Sequence, residues 1–484
     1  MIKSGRRKFI TRSLLGTAGV ALRGLIPLDT RDLPGADERG SLKPGPATSL
    51  KVQTEEMVYR YVPADNGAGP MWCHGSTCIV RAGNQVYATG IETVPGWKPL
   101  NNCRWTLFRR SAAGWEHVMT DEKDRTREPS PVAVLNNGHI YLSVNPTLTM
   151  PEEYNGPSKP GFYVFDSRDP QLKYQQINPV WDGEPPFTEH SYRSLAADGP
   201  SNELILFQNI GYTHAEWTFL DRENRWASQG RIVWPWGSDY EVPGPIRVCY
   251  PTVMLKNRAV YFCGVSDIIE PRREWREYKR QLTGNEWDYD FRRLFFTWTD
   301  DVTQKPFHDW IEVASREDTC GWIFPSDLYA AGDGSVYILW TERAIDERLR
   351  EKFFPGRKQS HALKYALIRN GRVISENTLH IMEEGGTNGI PVEARFQILP
   401  DQRIFVVYAI RENLTADQSA VKNYIMEIGP GSKTTEPVLI PLRYPFSSFF
   451  TATVRGGSEP SSSLDFLGTT SEKNTIRYAR VILD

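Results

Sequence analysis

One short unit recurs seven times along this chain and limits what it can fold into. The unit is a strand-like run, a Gly, Asn or Asp turn, and a second run that often carries an apolar–Tyr pair. Copies occupy 75–88 (turn Gly83-Asn84, then Val86-Tyr87), 130–144 (Asn137-Gly138, Ile140-Tyr141), 190–209 (Asp198-Gly199-Pro200) and 250–265 (Lys256-Asn257, Val260-Tyr261). Three more follow at 322–340 (Gly332-Asp333-Gly334, Val336-Tyr337), 393–408 (Asp401-Gln402, Ile404-Phe405) and, in degenerate form, 449–467. Each pair precedes two further strand-like runs, such as 105–109 with 115–119 and 294–298 with 310–314. Four antiparallel strands repeated at roughly 60 residues are the mark of a propeller blade. The last copy leaves room for three strands before Asp484, so 49–61 is expected to supply the fourth and close the ring. The predicted fold is all-β: one seven-bladed β-propeller over 46–484. Helical periodicity is confined to 345–352.

Composition agrees. Aromatics make up 12% of the chain, with 15 Trp and 21 Tyr, and there are 38 Gly and 34 Pro. That suits short strands, many turns and aromatic platforms for sugar rings. Charge is nearly balanced, 57 Lys and Arg against 59 Asp and Glu, so no global field favours nucleic acid or a membrane.

The first 45 residues read as an address rather than as fold. Ser4-Gly5-Arg6-Arg7-Lys8-Phe9-Ile10 and the mildly apolar 13–25 resemble a twin-arginine export signal, followed by a Pro- and Gly-containing linker. The expected location is periplasmic or secreted, with no membrane association after export, and the mature protein is expected to be a monomer.

In a propeller, the segments that open the inner strands share a face with the loops joining second to third strands. His74, Glu128, His190 and Tyr250 would therefore ring the central channel, with His190 opening its blade's first strand and Tyr192 close behind. The loops on that face add Trp97 and Lys98, 154–160, Tyr212 and His214, then 343–361. Blade four carries the longest, beginning Ile268-Ile269-Glu270-Pro271-Arg272. Its seven cations (Arg272, Arg273, Arg276, Lys279, Arg280, Arg292 and Arg293) alternate with Trp275, Tyr278, Trp287 and Tyr289. Loops of that length in a compact fold are functional or disordered, and the cations suit an acidic ligand.

This order, with His190 and His214 on one blade, Tyr250 opening the next and arginines leading into its third strand, resembles the seven-bladed polysaccharide lyases. These include the ulvan lyases and rhamnose–glucuronate lyases, which carry neuraminidase-like repeats. The resemblance covers the ring from about Val52 onward and implies an acidic polysaccharide or oligosaccharide substrate. It implies a site of His190, His214, Tyr250 and Arg292 or Arg293, with Arg293 taken as the catalytic one. From their places on the same face, Arg292, His74, Tyr192, Tyr278, Lys279, Trp287 and Glu128 are the expected substrate-binding residues. The long insertion before Arg292 and Arg293 departs from that pattern and leaves open which of the two faces the channel. No cofactor is needed for such catalysis.

These residue types fit the chemistry. β-Elimination removes a proton α to a carboxylate, so the carboxylate's charge must be neutralised as the enolate forms. Arg292 or Arg293, with His190, would do so, while His214 and Tyr250 would serve as the base and the acid in either order. Two other classes compete. A sialidase-like hydrolase would bind an acid through arginines, although no S-x-D-x-G-x-x-W box is present, and a paired-carboxylate glycosidase would use Glu128, Asp267 or Glu393. A non-catalytic carbohydrate-binding propeller would keep the aromatic rim without needing His214 or Tyr250.

Six cysteines remain: Cys73, Cys78, Cys103, Cys249, Cys263 and Cys320. Cys249, Cys263, Cys320 and His308 are a candidate structural zinc site, closed because it keeps no open position. Cys78 with Cys103 is a candidate disulfide.

Overall fold

The computed structural model describes residues 49–73, 75–413 and 419–483. The expected export signal and His74 lie outside the described residues. Seven four-stranded antiparallel sheets form the propeller. Their inner strands are Ile79–Ala82, Val132–Val134, Ser194–Asp198, Val248–Lys256, Trp322–Ala330, Ile390–Ile398 and Ser448–Thr451. The last sheet takes Leu50–Arg60 as its outer strand, pairing Leu50 with Leu483 and Arg60 with Thr475. The expected closure is therefore met.

Local sequence explains each layer. Ile79 and Val80 are fully buried, because an inner strand is covered by a blade on each side. The outer strand Arg372–Glu383 alternates exposed and partly covered positions instead, as a sheet with one wet face must. Large side chains such as Trp105, Trp340, Tyr365, Tyr408 and Tyr478 fill the space between blades.

The blade-four insertion, expected to be an irregular loop, contains helix α1, Arg273–Thr283. Trp275, Tyr278, Lys279 and Leu282 recur at helical spacing, and Gly284 ends the helix at φ 70°. It packs on a second helix, α2, Glu347–Phe353, through Trp275–Phe354 and Tyr278–Phe353 ring contacts at 5.6 and 5.5 Å. The 345–352 periodicity thus marks a real helix, capped by Asp346 accepting from the Arg348 amide.

Two segments cross the propeller axis. Around Arg455, the chain leaves blade seven and pairs with blades two and three, the Val134 and Ala197 amides donating to Gly456 O and Arg455 O. Gly457 holds φ 84°, and a Cβ there would fall 1.8 Å from Val134 O. Nearer the opposite face, Gly75 lies so close to blade four that a Cβ would meet Pro251 O at 1.4 Å. Arg455 joins the two segments. Its Nε donates to Asp327 Oδ1 at 2.7 Å, and its Nη1 donates to Gly75 O at 2.9 Å and Val253 O at 3.2 Å. Arg455 and Asp327 are both almost wholly buried.

Removing one member of such a pair strands the other. Arg455→Met is expected to cost about 3–5 kcal/mol, read as a lower unfolding midpoint in urea or on heating.

Candidate active site at the channel mouth

Four lead-in segments converge over the axis. His190 and Tyr192 precede their strand rather than open it, since that strand starts at Ser194. Tyr192 takes φ 43°, which turns the chain sharply before the ladder begins. One blade on, Tyr250 takes φ 52° inside a register shift between Cys249 and Thr252. Such bulges bend a strand and re-aim side chains, and a non-Gly residue there costs about 1–3 kcal/mol. The same lead-in position is used twice, Tyr192 standing before Ser194 as Tyr250 stands before Thr252.

The bends bring aromatic rings together. Tyr192 meets His190 at 4.3 Å and Tyr250 at 5.2 Å between centroids. Trp72, from blade one, reaches His190, Tyr192 and Tyr250 at 6.3, 6.3 and 5.6 Å. Phe291 and Phe324 flank Tyr250 at 5.9 and 5.0 Å. The hollow between Trp72, Glu128, Tyr192 and Tyr250 is small, about 10 Å³.

Polar partners set protonation. His190 Nδ1 lies 3.2 Å from Glu128 Oε1, and the same carboxylate accepts from the Ser191 amide at 3.0 Å and Ser191 Oγ at 2.6 Å. Burial pushes Glu128 up, but the His190 hydrogen bond and the nearby cations, Arg193 and Arg127 among them, outweigh it and hold it at about 2. Burial pushes His190 down to about 4, with Arg127 and Arg247 adding to it and Glu128 opposing. At neutral pH the ring is thus uncharged and donates Nδ1–H to an ionised carboxylate. Burial also raises both phenols, Tyr192 and Tyr250, with the charge of Asp267 adding to each. They stay protonated.

Besides Arg127 and Arg193, a third cation stands at this site, Arg247, which the sequence reading missed. It donates from Nη2 to Asp267 Oδ2 at 2.7 Å and from Nε to Asp267 O at 2.9 Å. Tyr192 Oη donates to the same carboxylate at 2.9 Å. The guanidinium sits 4.0 Å over the Tyr212 ring and 5.6 Å from that of Tyr192. Its one sequence signal was its place just before the Val248–Lys256 strand, mirroring Glu189 one blade earlier.

Several expected residues lie elsewhere. Arg292 is buried in an ion network, donating to both Glu270 oxygens at 2.7 and 3.0 Å and to Glu317. Lys279 is buried against Glu270 and Asp288 at 2.8 and 2.9 Å. Both hold α1 onto blade four and do not face the channel. Arg293 points the other way, pairing with Glu312 at 2.5 Å and donating to Tyr240 Oη, beside an outer cleft of about 880 Å³. Tyr278 packs on Phe353 under Lys352, and Trp287 is exposed. His214 bonds Glu216 at 2.9 Å and Thr213 at 2.7 Å, and no contact joins it to His190 or Tyr250 among the described residues. Each of these three, Arg292, Arg293 and His214, opens or precedes a third strand. Two interstrand spacings, roughly 10 Å, separate that strand from the inner one.

The zinc ligands are not gathered either. Cys320 contacts Lys279 and Arg292 and donates to Glu270 at 3.4 Å, a place already occupied by cations. His308 stacks on Trp298 at 4.2 Å, while Cys249 accepts from Asn209. Cys263 is buried in the same packed core as Cys249. No group of three metal-ligating side chains exists among the described residues.

No protein-family model matches the chain, and no curated protein sequence does. Solved structures with some likeness include the α-L-arabinanase of Penicillium chrysogenum with arabinobiose, at 12% identity and TM-score 0.40, over 73% of this chain and 93% of that one. The α-L-arabinofuranosidase of Fusarium graminearum with arabinobiose gives 12%, 0.39, 73% and 93%. A Synechocystis apocarotenoid oxygenase variant gives 10%, 0.42, 87% and 88%. Likeness at this level assigns no chemistry.

The depressed His190 value makes a prediction about acid. The unfolded ring binds its proton near 6.5 and the folded one near 4. Stability from the neutral ring is complete above about 6.5 and is lost as pH falls through about 4, on the order of 3 kcal/mol. Urea unfolding across that range should show the loss, and His190→Asn should flatten it.

Proposed function

We propose that the chain is a polysaccharide lyase that cleaves a uronate-containing polymer by β-elimination at the channel mouth. The observation that carries this reading is an imidazole fixed through Nδ1 by Glu128, in ring contact with Tyr192, which in turn packs edge-on against Tyr250, with burial favouring the uncharged ring and the protonated phenol. In this reading His190 takes the proton α to the substrate carboxylate. Arg247 lowers the charge on that carboxylate as the enolate forms. The bond to the leaving oxygen breaks, and Tyr250 gives that oxygen its phenolic proton. Export to the periplasm or beyond would bring the protein to such polymers.

A hydrolase reading keeps one specific support. Burial, with the charge of Glu128 adding, raises the Glu189 carboxyl, while Glu128 beside it stays ionised. Neighbouring carboxyl groups pushed apart in this way divide acid and base roles in glycosidases. Against it, Glu128, Asp267 and Glu393 are already bound to His190, Arg247 and Arg395.

The two readings separate on the product. Incubation with a panel of uronate-containing polysaccharides is expected to generate the ultraviolet absorbance of an unsaturated uronate. New reducing ends without that absorbance would establish the hydrolase, and neither signal would leave a binding propeller. His190→Ala and Tyr250→Phe are each expected to lower turnover by about 10² or more, whereas His214→Ala should stay near wild type. A His190→Ala, Tyr250→Phe double variant that still makes unsaturated product at the wild-type rate would end the proposal.

A further inference from the structure

The loops of blades one and two build a second charged surface that the channel site does not use. Three segments meet there: the turn with Trp97 and Lys98, the lead-in through Arg125, and the connection 145–160. The Lys98 amide donates to Pro151 O at 3.1 Å, the Thr147 amide to Arg125 O at 2.8 Å and the Leu148 amide to Pro157 O at 2.8 Å. All three segments lie on the face of the channel mouth, because they join second to third strands or lead into a first one. Tyr154, Leu148 and Met150 are exposed on it.

Each of two cations here faces a ring instead of a carboxylate. Lys98 Nζ lies 5.2 Å from the Tyr154 centroid, and the Arg125 guanidinium 5.4 Å from that of Trp97. Of its five donors, Arg125 uses one, Nη1 donating to Asp124 O at 2.6 Å, and its Nε is buried without a partner. Neither Lys98 nor Arg125 has an ion pair among the described residues. Elsewhere on this face Arg247, Arg292, Arg293 and Arg348 are all matched with acids. The surface also runs into the mouth. The Gly156 amide donates to Glu189 Oε2 at 3.3 Å and the Ser158 amide to Phe187 O at 2.9 Å, so the loop that carries Tyr154 abuts the segment leading to His190.

We propose that Trp97, Lys98, Arg125 and Tyr154 form a subsite for an acidic sugar unit of the polymer, away from the bond that is cleaved. Lys98 and Arg125 take its carboxylate or sulfate through their unused N–H groups. The rings beneath hold both cations in place by cation–π attraction, so less side-chain freedom is lost when the acid arrives. This deepens the reading above and rests on it for the role of the bound polymer. A subsite outside the reacting centre grips ground state and transition state alike, so it acts on affinity and leaves the chemical step unchanged.

Binding is read apart from cleavage by affinity electrophoresis at low salt, with the Tyr250→Phe chain in gels holding a glucuronate homopolymer, dextran sulfate or neutral dextran. The expected result is retardation by at least one acidic polymer and none by dextran. Whichever acidic gel retards the protein identifies the group as carboxylate or sulfate. Adding Lys98→Gln and Arg125→Gln should weaken that binding about fivefold or more. The charge-matched pair Arg403→Gln and Lys422→Gln, on blade six, should change it by less than about twofold. No retardation in either acidic gel, equal retardation by dextran, or equal losses in the two double variants would overturn the proposal. In the otherwise wild-type chain, Lys98→Gln with Arg125→Gln should raise KM and leave kcat near wild type. Acidic polymer bound through Lys98 and Arg125 but never converted to unsaturated product would overturn the lyase reading and leave the acid-binding surface standing.

Discussion

A propeller must close around its circumference, and here the axis is closed as well, by a buried charge. Arg455 bonds the carboxylate of Asp327 in blade five and the carbonyls of Gly75 and Val253 in blades one and four. A guanidinium has five donors and no acceptor, so one side chain can satisfy several carbonyls left unpaired where inner strands bulge. Arg193 does the same nearby, donating to Ser143 O and Pro129 O. Buried polar groups without such partners would cost more than the packing returns. The axis is therefore a hydrogen-bonded plug, and the channel is open only as a shallow mouth.

That plug positions the candidate site. Gly75 is held between Arg455 and Pro251, and the chain just before it delivers Trp72 to the rings of Tyr192 and Tyr250. Those two tyrosines project over the plug because their backbones sit at positive φ, a strained state that the surrounding ladder enforces. Axis, bulges and aromatic floor are thus one mechanical unit.

The repeat was legible because turn residues and alternating runs are local signals, as was closure by the 50–60 segment. Glu128, His190 and Tyr250 were expected at the channel from the same reasoning and lie together there, although His190 precedes its strand. The third-strand residues were misplaced. Adjacent arginines do point to opposite faces, as Arg292 and Arg293 show, but on this strand neither face is the channel. Arg292 was drawn under α1 by Glu270 and Glu317, and that helix was hidden because its inner face mixes Trp275 with the buried cation Lys279. Arg247 was invisible because its role depends on Asp267, twenty residues away, folding back to meet it.

In the proposed reaction, one physical effect would supply both the acid and the base. Burial disfavours whichever form of a group is charged. It therefore keeps a phenol protonated, as at Tyr250, and an imidazole unprotonated, as at His190. No second carboxylate is needed to separate the two roles. Glu128 then decides orientation more than protonation: it opposes the fall in the His190 value yet does not reverse it, while its hydrogen bond to Nδ1 leaves Nε2 as the basic nitrogen of the ring. In the proposed reaction, the neutral donor and neutral acceptor over this buried floor would exchange protons with the substrate at neutral pH. In that proposed reaction the developing charge would fall to Arg247, which Asp267 holds in place and partly offsets.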